Sequence, residues 1–347
     1  MEITGLEQAA AWRDRVLPPV ESLRPGLWSI PVPLPNAALR YVLVYLLELP
    51  DGVAIIDAGW DTSEAWEALS AGIARTGHRI DDVRVILVTH VHQDHYGLAG
   101  RVREASGAWV GMHEAEAATL LRRRGDPEEL IEHSRAWLAL HGVPAEETAE
   151  LAGSVGRFAG MLEMPEPDRL LSDGDKVDLP GWNLRAVWTP GHTPGHLCFF
   201  EQDAQVLFTG DHILPRISPN ISVYADVPDN PLKDYLASLD MTGGIPADEV
   251  MPAHQYRFRG LGERTDQLRR HHRDRLTELL GLLHGGEGQT AWELSANLSW
   301  SRPWAQIRGF MRRSALGETL AHLALLEDRG QVIRTGTAPE RWFATVG

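Results

Sequence analysis

Val83-Arg84-Val85-Ile86-Leu87-Val88-Thr89-His90-Val91-His92-Gln93-Asp94-His95 runs from an apolar, β-branched stretch straight into three imidazoles and a carboxylate. The run Val83 to Val88 predicts a buried strand, and the polar residues after it mark the strand's end. On an extended segment residues i and i+2 share a side, so His90 and His92 can converge on one ion, while Asp94 and His95 face elsewhere as the chain turns. One short loop can therefore serve two adjacent cations. A satisfied surface histidine cluster is the competing reading, and so many ligand-type residues directly behind a buried strand argue against it.

Two cations need more donors than one loop supplies, because zinc takes about four ligands and a catalytic site leaves a position for water. Three further ligand-type residues each follow an apolar run. Arg185 to Trp188 leads into Thr189-Pro190-Gly191-His192-Thr193-Pro194-Gly195-His196. Gln205 to Phe208 leads into Thr209-Gly210-Asp211-His212, and Glu249 to Met251 leads into Pro252-Ala253-His254.

The HxHxDH signature, the GHTPGH loop, the Gly-Asp after a strand and the late Pro-Ala-His, in that order from about Trp28 to His254, resemble the metallo-β-lactamase superfamily of metal-dependent hydrolases. The resemblance implies an α/β fold, the αββα sandwich, with a dinuclear site similar to that of glyoxalase II. It implies that His90, His92 and His192 bind one metal, that Asp94, His95 and His254 bind a second, and that Asp211 bridges them. Asp57, ending the run Ile55-Ile56-Asp57, resembles the family's buried carboxylate that orients the metal loop. Imidazole and carboxylate donors suit two divalent ions, with zinc foremost and iron or manganese as alternatives.

The local pattern fits that architecture. Tyr41–Leu49 and Val53–Asp57 read as strands around a Pro50-Asp51-Gly52 turn. Thr62 to Thr76 reads as a capped amphipathic helix, Asp94 to Ala105 as a helix, and Trp109 to Met112 as a strand. Further strands fall near Leu184, Leu197, Val206 and Val250. A helical insertion over about 114–164 is expected within a catalytic domain spanning 20–260, and Trp137, Phe158, Met161 and Met164 are its candidate pocket residues, with the insertion's own core as the competing role. From 261 to 347 the chain changes character. Helices over Ala291–Leu298, Pro303–Arg313 and Leu316–Arg329, followed by the strand pair Gln331–Arg334 and Trp342–Thr345, resemble the winged helix of the superfamily's lactamase-like endoribonuclease branch.

Composition narrows the partners. With 33 basic and 48 acidic residues among 347, the net charge of −15 disfavours a nucleic-acid polyanion, although Arg302, Arg308, Arg312 and Arg313 make the tail locally basic. Only Lys176 and Lys233 are lysines. Cys198 is the single cysteine, so no intrachain disulfide can form, and with no signal-peptide core near Met1 a cytoplasmic location is expected. No apolar run is long enough for a membrane span. A homodimer is the simplest assembly.

The expected chemistry is hydrolysis of a carbonyl substrate by a hydroxide bridging the two metals, with Asp94 and Asp211 as the catalytic carboxylates and Asp94 relaying the proton. The bridging Asp211 argues against a true β-lactamase, and His92 argues against the di-iron flavoproteins, which carry a carboxylate there. A small-molecule thioester, ester or lactone is the expected substrate. A metal-dependent endoribonuclease, a mono-iron persulfide dioxygenase and a non-catalytic ligand-binding regulator are the alternatives. His196 and Tyr224 are expected to support the site from outside the ligand set; His113 and His212 are assigned no ligand role, and Cys198 reads as a core thiol.

Overall fold

Val83–Leu87 is an interior strand of a seven-stranded sheet, paired in parallel with Gly52–Ile56 on one side and Trp109–His113 on the other. The computed structural model describes residues 1–35, 39–123, 126–153, 164–225, 230–284 and 286–345. The sheet runs Glu21–Arg24, Leu27–Pro33, Tyr41–Leu49, Gly52–Ile56, Val83–Leu87, Trp109–His113, Arg169–Leu171. A second sheet has six strands in the order Glu2–Ile3, Phe258–Arg259, Glu249–Pro252, Val206–Gly210, Leu197–Glu201, Leu184–Trp188. The inward faces of both meet in one core, where Tyr45, Leu47, Ile56 and Leu87 of the first sheet join Ala186, Leu197, Phe199 and Phe208 of the second. The Tyr45 and Phe208 rings pack with centroids 5.1 Å apart. With strands this apolar, burial on both faces is what the sequence demands.

The expected helices form with one correction. Ser63–Arg75 begins where Thr62 Oγ1 accepts from the Ala65 amide at 3.1 Å. The helix expected over Asp94–Ala105 is two, Gln93–Tyr96 and Ala99–Ser106. Gly97 breaks it: a Cβ there would lie 2.5 Å from Gln93 O and 2.7 Å from Asp61 N. The Leu98 amide instead donates to Gly59 O at 2.9 Å. The break lets the first short helix seat Asp94 and His95 at the strand ends.

The chain forms two compact units: 1–123, 160–219 and 238–265 in the first, and 124–159, 220–237 and 266–347 in the second. Both sheets lie in the first. The second differs from the expected cut at 260/261, which would fall at the start of the continuous helix Leu261–Leu283. It gathers the insertion's helices Pro127–Leu140 and Ala145–Gly153 with the C-terminal segment. Glu340 N donates to Leu140 O at 2.8 Å and Trp292 N to His141 O at 3.1 Å. The helix expected at Pro303–Arg313 is a 3-10 turn, Trp304–Gln306, and a single helix Gly309–Asp328 replaces the second and third expected helices. Arg312 explains the join. Its Nε donates to Ile307 O at 2.6 Å and its guanidinium meets both oxygens of Glu147 at 2.7 Å, so the residues expected to separate two helices are locked as the first turns of one. The strand pair is present as Val332–Thr335 with Arg341–Ala344. No described helix is long and apolar enough to cross a membrane.

Candidate metal centre

Four of the strand ends identified in the sequence converge. From the loop after Val83–Leu87, His90 Nε2 lies 2.8 Å from His92 Nδ1, and His192 Nε2, from the loop after Leu184–Trp188, lies 3.1 Å from the same atom. Asp94 Oδ2 is 3.4 Å from His254 Nε2 and 3.8 Å from His95 Nε2. Asp211, after Val206–Gly210, faces both groups. Its Oδ2 is 3.7 Å from His192 Nε2, while its Oδ1 is 3.3 Å from His254 Nε2 and 3.7 Å from His95 Nε2. The donor atoms of His90/His92/His192, of His90/His95/Asp211 and of Asp94/His95/His254 each fall within 4.8 Å of one another.

The donor set fits a cation. His95 Nε2, Asp211 Oδ1 and His254 Nε2 are buried and face one another, and none has a hydrogen-bond partner among the described residues. Three orphaned polar atoms at one point are costly unless an ion completes them. Their outer nitrogens are already committed: His95 Nδ1 lies 2.7 Å from Asp57 Oδ2, and His254 Nδ1 lies 2.8 Å from Tyr41 O. With Nδ1–H donated outward, Nε2 presents its lone pair inward.

Electrostatics agrees. Burial opposes ionisation of Asp94, but His95 and His254 override it and hold the carboxyl down at about 2. Burial likewise opposes ionisation of Asp211, and His254 and His95 hold it well below the carboxylate range. For His90, burial and then the His95 and His92 rings keep the imidazole well below its usual value, so it is neutral. Ionised carboxylates and a neutral imidazole are the states in which these groups ligate metals. At His95 burial is outweighed by Asp57, Asp94 and Asp211, and at His254 by Asp211 and Asp94, so both imidazoles are raised above their usual value; the carboxylates favour positive charge here, which a bound cation would supply in place of a proton.

Around the donors sits a supporting layer. Asp57 accepts from Thr89 N at 2.9 Å and Thr89 Oγ1 at 3.0 Å, fixing the start of the metal loop. His196 Nε2 accepts from the Asp211 amide at 3.2 Å, and its Nδ1 lies 2.8 Å from Thr189 Oγ1. Burial, then His212, holds His196 neutral, as an acceptor must be. His212 turns to Thr242 Oγ1 at 3.1 Å. His113 stacks on Trp188 with centroids 5.2 Å apart and planes within 4°. Cys198 is buried in its strand, its thiol pushed up to about 12 by that burial.

Tyr224, Trp137 and Met164, also expected near the site, are among the described residues. Tyr224 belongs to the second unit, where its hydroxyl donates to Asn220 Oδ1 at 3.3 Å. Trp137 also belongs there, half-buried, edge-on to His141 at 4.8 Å and beneath the Arg313 guanidinium. Met164 is buried in the first unit, and Phe158 and Met161 lie outside the described residues. Glu116 is a residue that the sequence pattern did not single out. It is fully buried, with Oε2 accepting from Val91 N at 2.8 Å and Oε1 from Gly195 N at 2.7 Å. Locally it looks like any helix-start acid.

The profile described as the metallo-beta-lactamase superfamily matches residues 37–254, which spans the whole donor set. The chain belongs to that superfamily. Among solved structures it is similar to a metallo-beta-lactamase family protein of Thermus thermophilus, at 37% identity and a TM-score of 0.78, covering 93% of this chain and 100% of the other. Among curated relatives it is similar to the probable metallo-hydrolase YqjP of Bacillus subtilis, 28% identical over 65% of this chain and 70% of that protein. It is also similar to the acyl-coenzyme A thioesterase MBLAC2 of Homo sapiens, 25% identical over 61% of this chain and 72% of that protein. As a member of the metallo-beta-lactamase superfamily it is a metallo-hydrolase by family, with His/Asp clusters suited to divalent cations.

Proposed function

We propose that this superfamily member hydrolyses a carbonyl substrate, a thioester foremost and otherwise an ester or lactone, using two divalent cations, zinc foremost. His90, His92 and His192 would hold one, Asp94, His95 and His254 the other, with Asp211 shared. The observation that carries this reading is the Asp211 carboxylate, whose two oxygens face different donor sets. When bound, the cations would bring the pKa of a water between them towards neutrality and polarise the carbonyl to be attacked. The chain's own residues do the rest. Asp94, ionised and with 13% of its side chain exposed, can take up the proton of the attacking water on the carboxylate oxygen that it does not give to the cation. Thr89, Asp57 and His196 keep the donors from drifting as charge develops. The distant likeness to an acyl-coenzyme A thioesterase supports the choice of thioester.

For the C-terminal segment we read a winged helix used for packing. A groove-reading helix needs an exposed basic face. Here the Gly309–Asp328 helix is buried along most of its length; Arg312 is bound to Glu147, and Arg313 donates to Ser134 Oγ at 2.5 Å. A small acyl compound rather than RNA is therefore the proposed partner.

Metal analysis followed by a panel of chromogenic thioesters, esters, lactones and phosphodiesters tests the proposal. The expected outcome is about two metal equivalents per chain and acyl hydrolysis that falls about 10²- to 10⁴-fold in Asp94→Ala. Cleavage of RNA without acyl hydrolysis, or one iron per chain with oxygen consumption, would overturn it.

A further inference from the structure

We propose that Glu116 is a positioning residue that sets the geometry of the three-imidazole group His90/His92/His192, an inference that rests on the two-cation reading above. Glu116 stands in the first turn of the helix Glu114–Arg123, a place where an acidic side chain ordinarily points into solvent near the helix's positive end. Here it is turned inward and has no exposure at all. A buried carboxylate is costly unless hydrogen bonds compensate it, so its two acceptors show what it is there to hold.

Those acceptors reach two different loops. Oε2 takes the Val91 amide at 2.8 Å, and Val91 lies between His90 and His92. Oε1 takes the Gly195 amide at 2.7 Å, in the loop that carries His192 and His196. One rigid, planar group thus ties together the two segments whose imidazoles meet at His92 Nδ1, at 2.8 Å and 3.1 Å. Charge-assisted bonds to backbone N–H groups are the strong kind, and ligand geometry must be held within about 0.5 Å to be productive.

Gly195 supplies an independent observation. A Cβ there would lie 2.7 Å from Glu116 N, 2.8 Å from Glu116 Cγ and 2.9 Å from His113 Nδ1. The second glycine of the GHTPGH loop is therefore required by the close approach of Glu116. Glu116 belongs to none of the described donor groups, so it acts through the ligands and not as one. The other donor set has its own anchors: His95 on Asp57 and His254 on the Tyr41 carbonyl. Loss of the Glu116 tie should accordingly reach one cation far more than the other.

The test uses the full chain as wild type, Glu116→Gln and Gly195→Ala. A glutamine keeps the shape but sets an NH₂ against one of the two amides; the alanine keeps the carboxylate and pushes the loop off it. Each metal-free protein is titrated with zinc against a chromogenic chelator to give two stepwise constants, and the melting temperature of the metal-free form is recorded alongside. In both variants one constant should weaken about 10- to 100-fold and the other should stay within about threefold. Equal weakening of both constants in step with the melting temperature would make Glu116 a merely structural residue and overturn the inference, as would two unchanged constants. A wild type that takes up no zinc would instead overturn the reading beneath it, and this inference with it. If Glu116→Gln does not fold, Gly195→Ala decides the outcome.

Discussion

Asp57 adopts φ +62°, a left-handed conformation that costs a non-glycine residue of order 1 kcal/mol and persists only where the surroundings enforce it. What the strain achieves is visible in its partners. The carboxylate turns out of the Gly52–Ile56 strand to accept from Thr89 N and Oγ1 and to meet His95 Nδ1 at 2.7 Å. One residue therefore fixes the start of the metal loop and the tautomer of a ligand. Asp57→Asn keeps the volume but offers one acceptor oxygen where the carboxylate offers two. Zinc affinity should fall about 10- to 100-fold, read by chelator competition, and an unchanged affinity would remove Asp57 from the supporting layer. Asp57 and the seven donors were legible in the sequence because they follow apolar strands in motifs that resemble those of the superfamily, and strand ends in a sandwich converge. Glu116 was not, because its partners Val91 and Gly195 are 25 and 79 residues away and no local pattern encodes such a pairing. His196 was legible only as a neighbour of His192; its bond to the Asp211 amide required the fold.

At the scale of elements, Gly97 decides how the metal loop is presented. The apolar and polar pattern from Asp94 to Ala105 reads as one helix, and periodicity alone gives no reason to interrupt it. The interruption comes from a neighbouring turn: Gly59 O and Asp61 N press so close that a Cβ on residue 97 would sit 2.9 Å and 2.7 Å from them. These are backbone atoms that cannot swing aside, so Gly97→Ala should destabilise the first unit by about 1–3 kcal/mol. Urea unfolding of the metal-free chain measures this, and an unmoved midpoint would show that the Gly59 turn yields easily. The C-terminal helices depart from their sequence pattern for a related reason. Pro303 and the arginines suggest a separate helix, whereas Arg312 spends its guanidinium on Glu147 and on the Ile307 and Trp304 carbonyls. Arg312→Ala strips the partner from a mostly buried pair, and the second unit should lose about 3–5 kcal/mol with no change in RNA retention. A selective loss of RNA binding without destabilisation would return the tail to a nucleic-acid role.

Across the whole molecule, the second unit carries buried ionisable groups that no metal holds in place, and they make its stability depend on pH. Burial, then Arg334, brings His141 down to about 4; burial brings His322 down to about 4, with Arg275 adding to the effect against the Glu318 carbonyl. Burial and the neighbouring His322 ring push His272 well below its usual value. His272 Nδ1 lies 3.1 Å from His322 Nε2, and His322 Nδ1 meets the Glu318 carbonyl at 2.8 Å, so the two rings form one neutral chain under Tyr235. Glu318 works in the other direction, since burial lifts its carboxyl to about 7 despite Arg275. An imidazole with a depressed folded pKa takes up fewer protons folded than unfolded, so its contribution to stability is complete above about 6.5 and is lost as pH falls below that. A carboxyl with a raised folded pKa contributes fully below about 4.5, and that contribution is lost as pH rises through about 7. Between about pH 4.5 and 6.5 three imidazoles oppose one carboxyl. Stability should therefore rise with pH by about 1–3 kcal/mol per unit, then level off above about pH 7, where the remaining imidazole and carboxyl contributions cancel. Thermal melting of the full chain from pH 4.5 to 8 gives the profile, and the slope, not the melting temperature itself, carries the decision. In His322→Gln the slope below pH 6.5 should flatten by about one proton's worth, roughly 1.4 kcal/mol per pH unit. A variant whose slope matches wild type would mean that the His272–His322 pair does not titrate with unfolding, and that the acid sensitivity belongs to the donor cluster of the first unit.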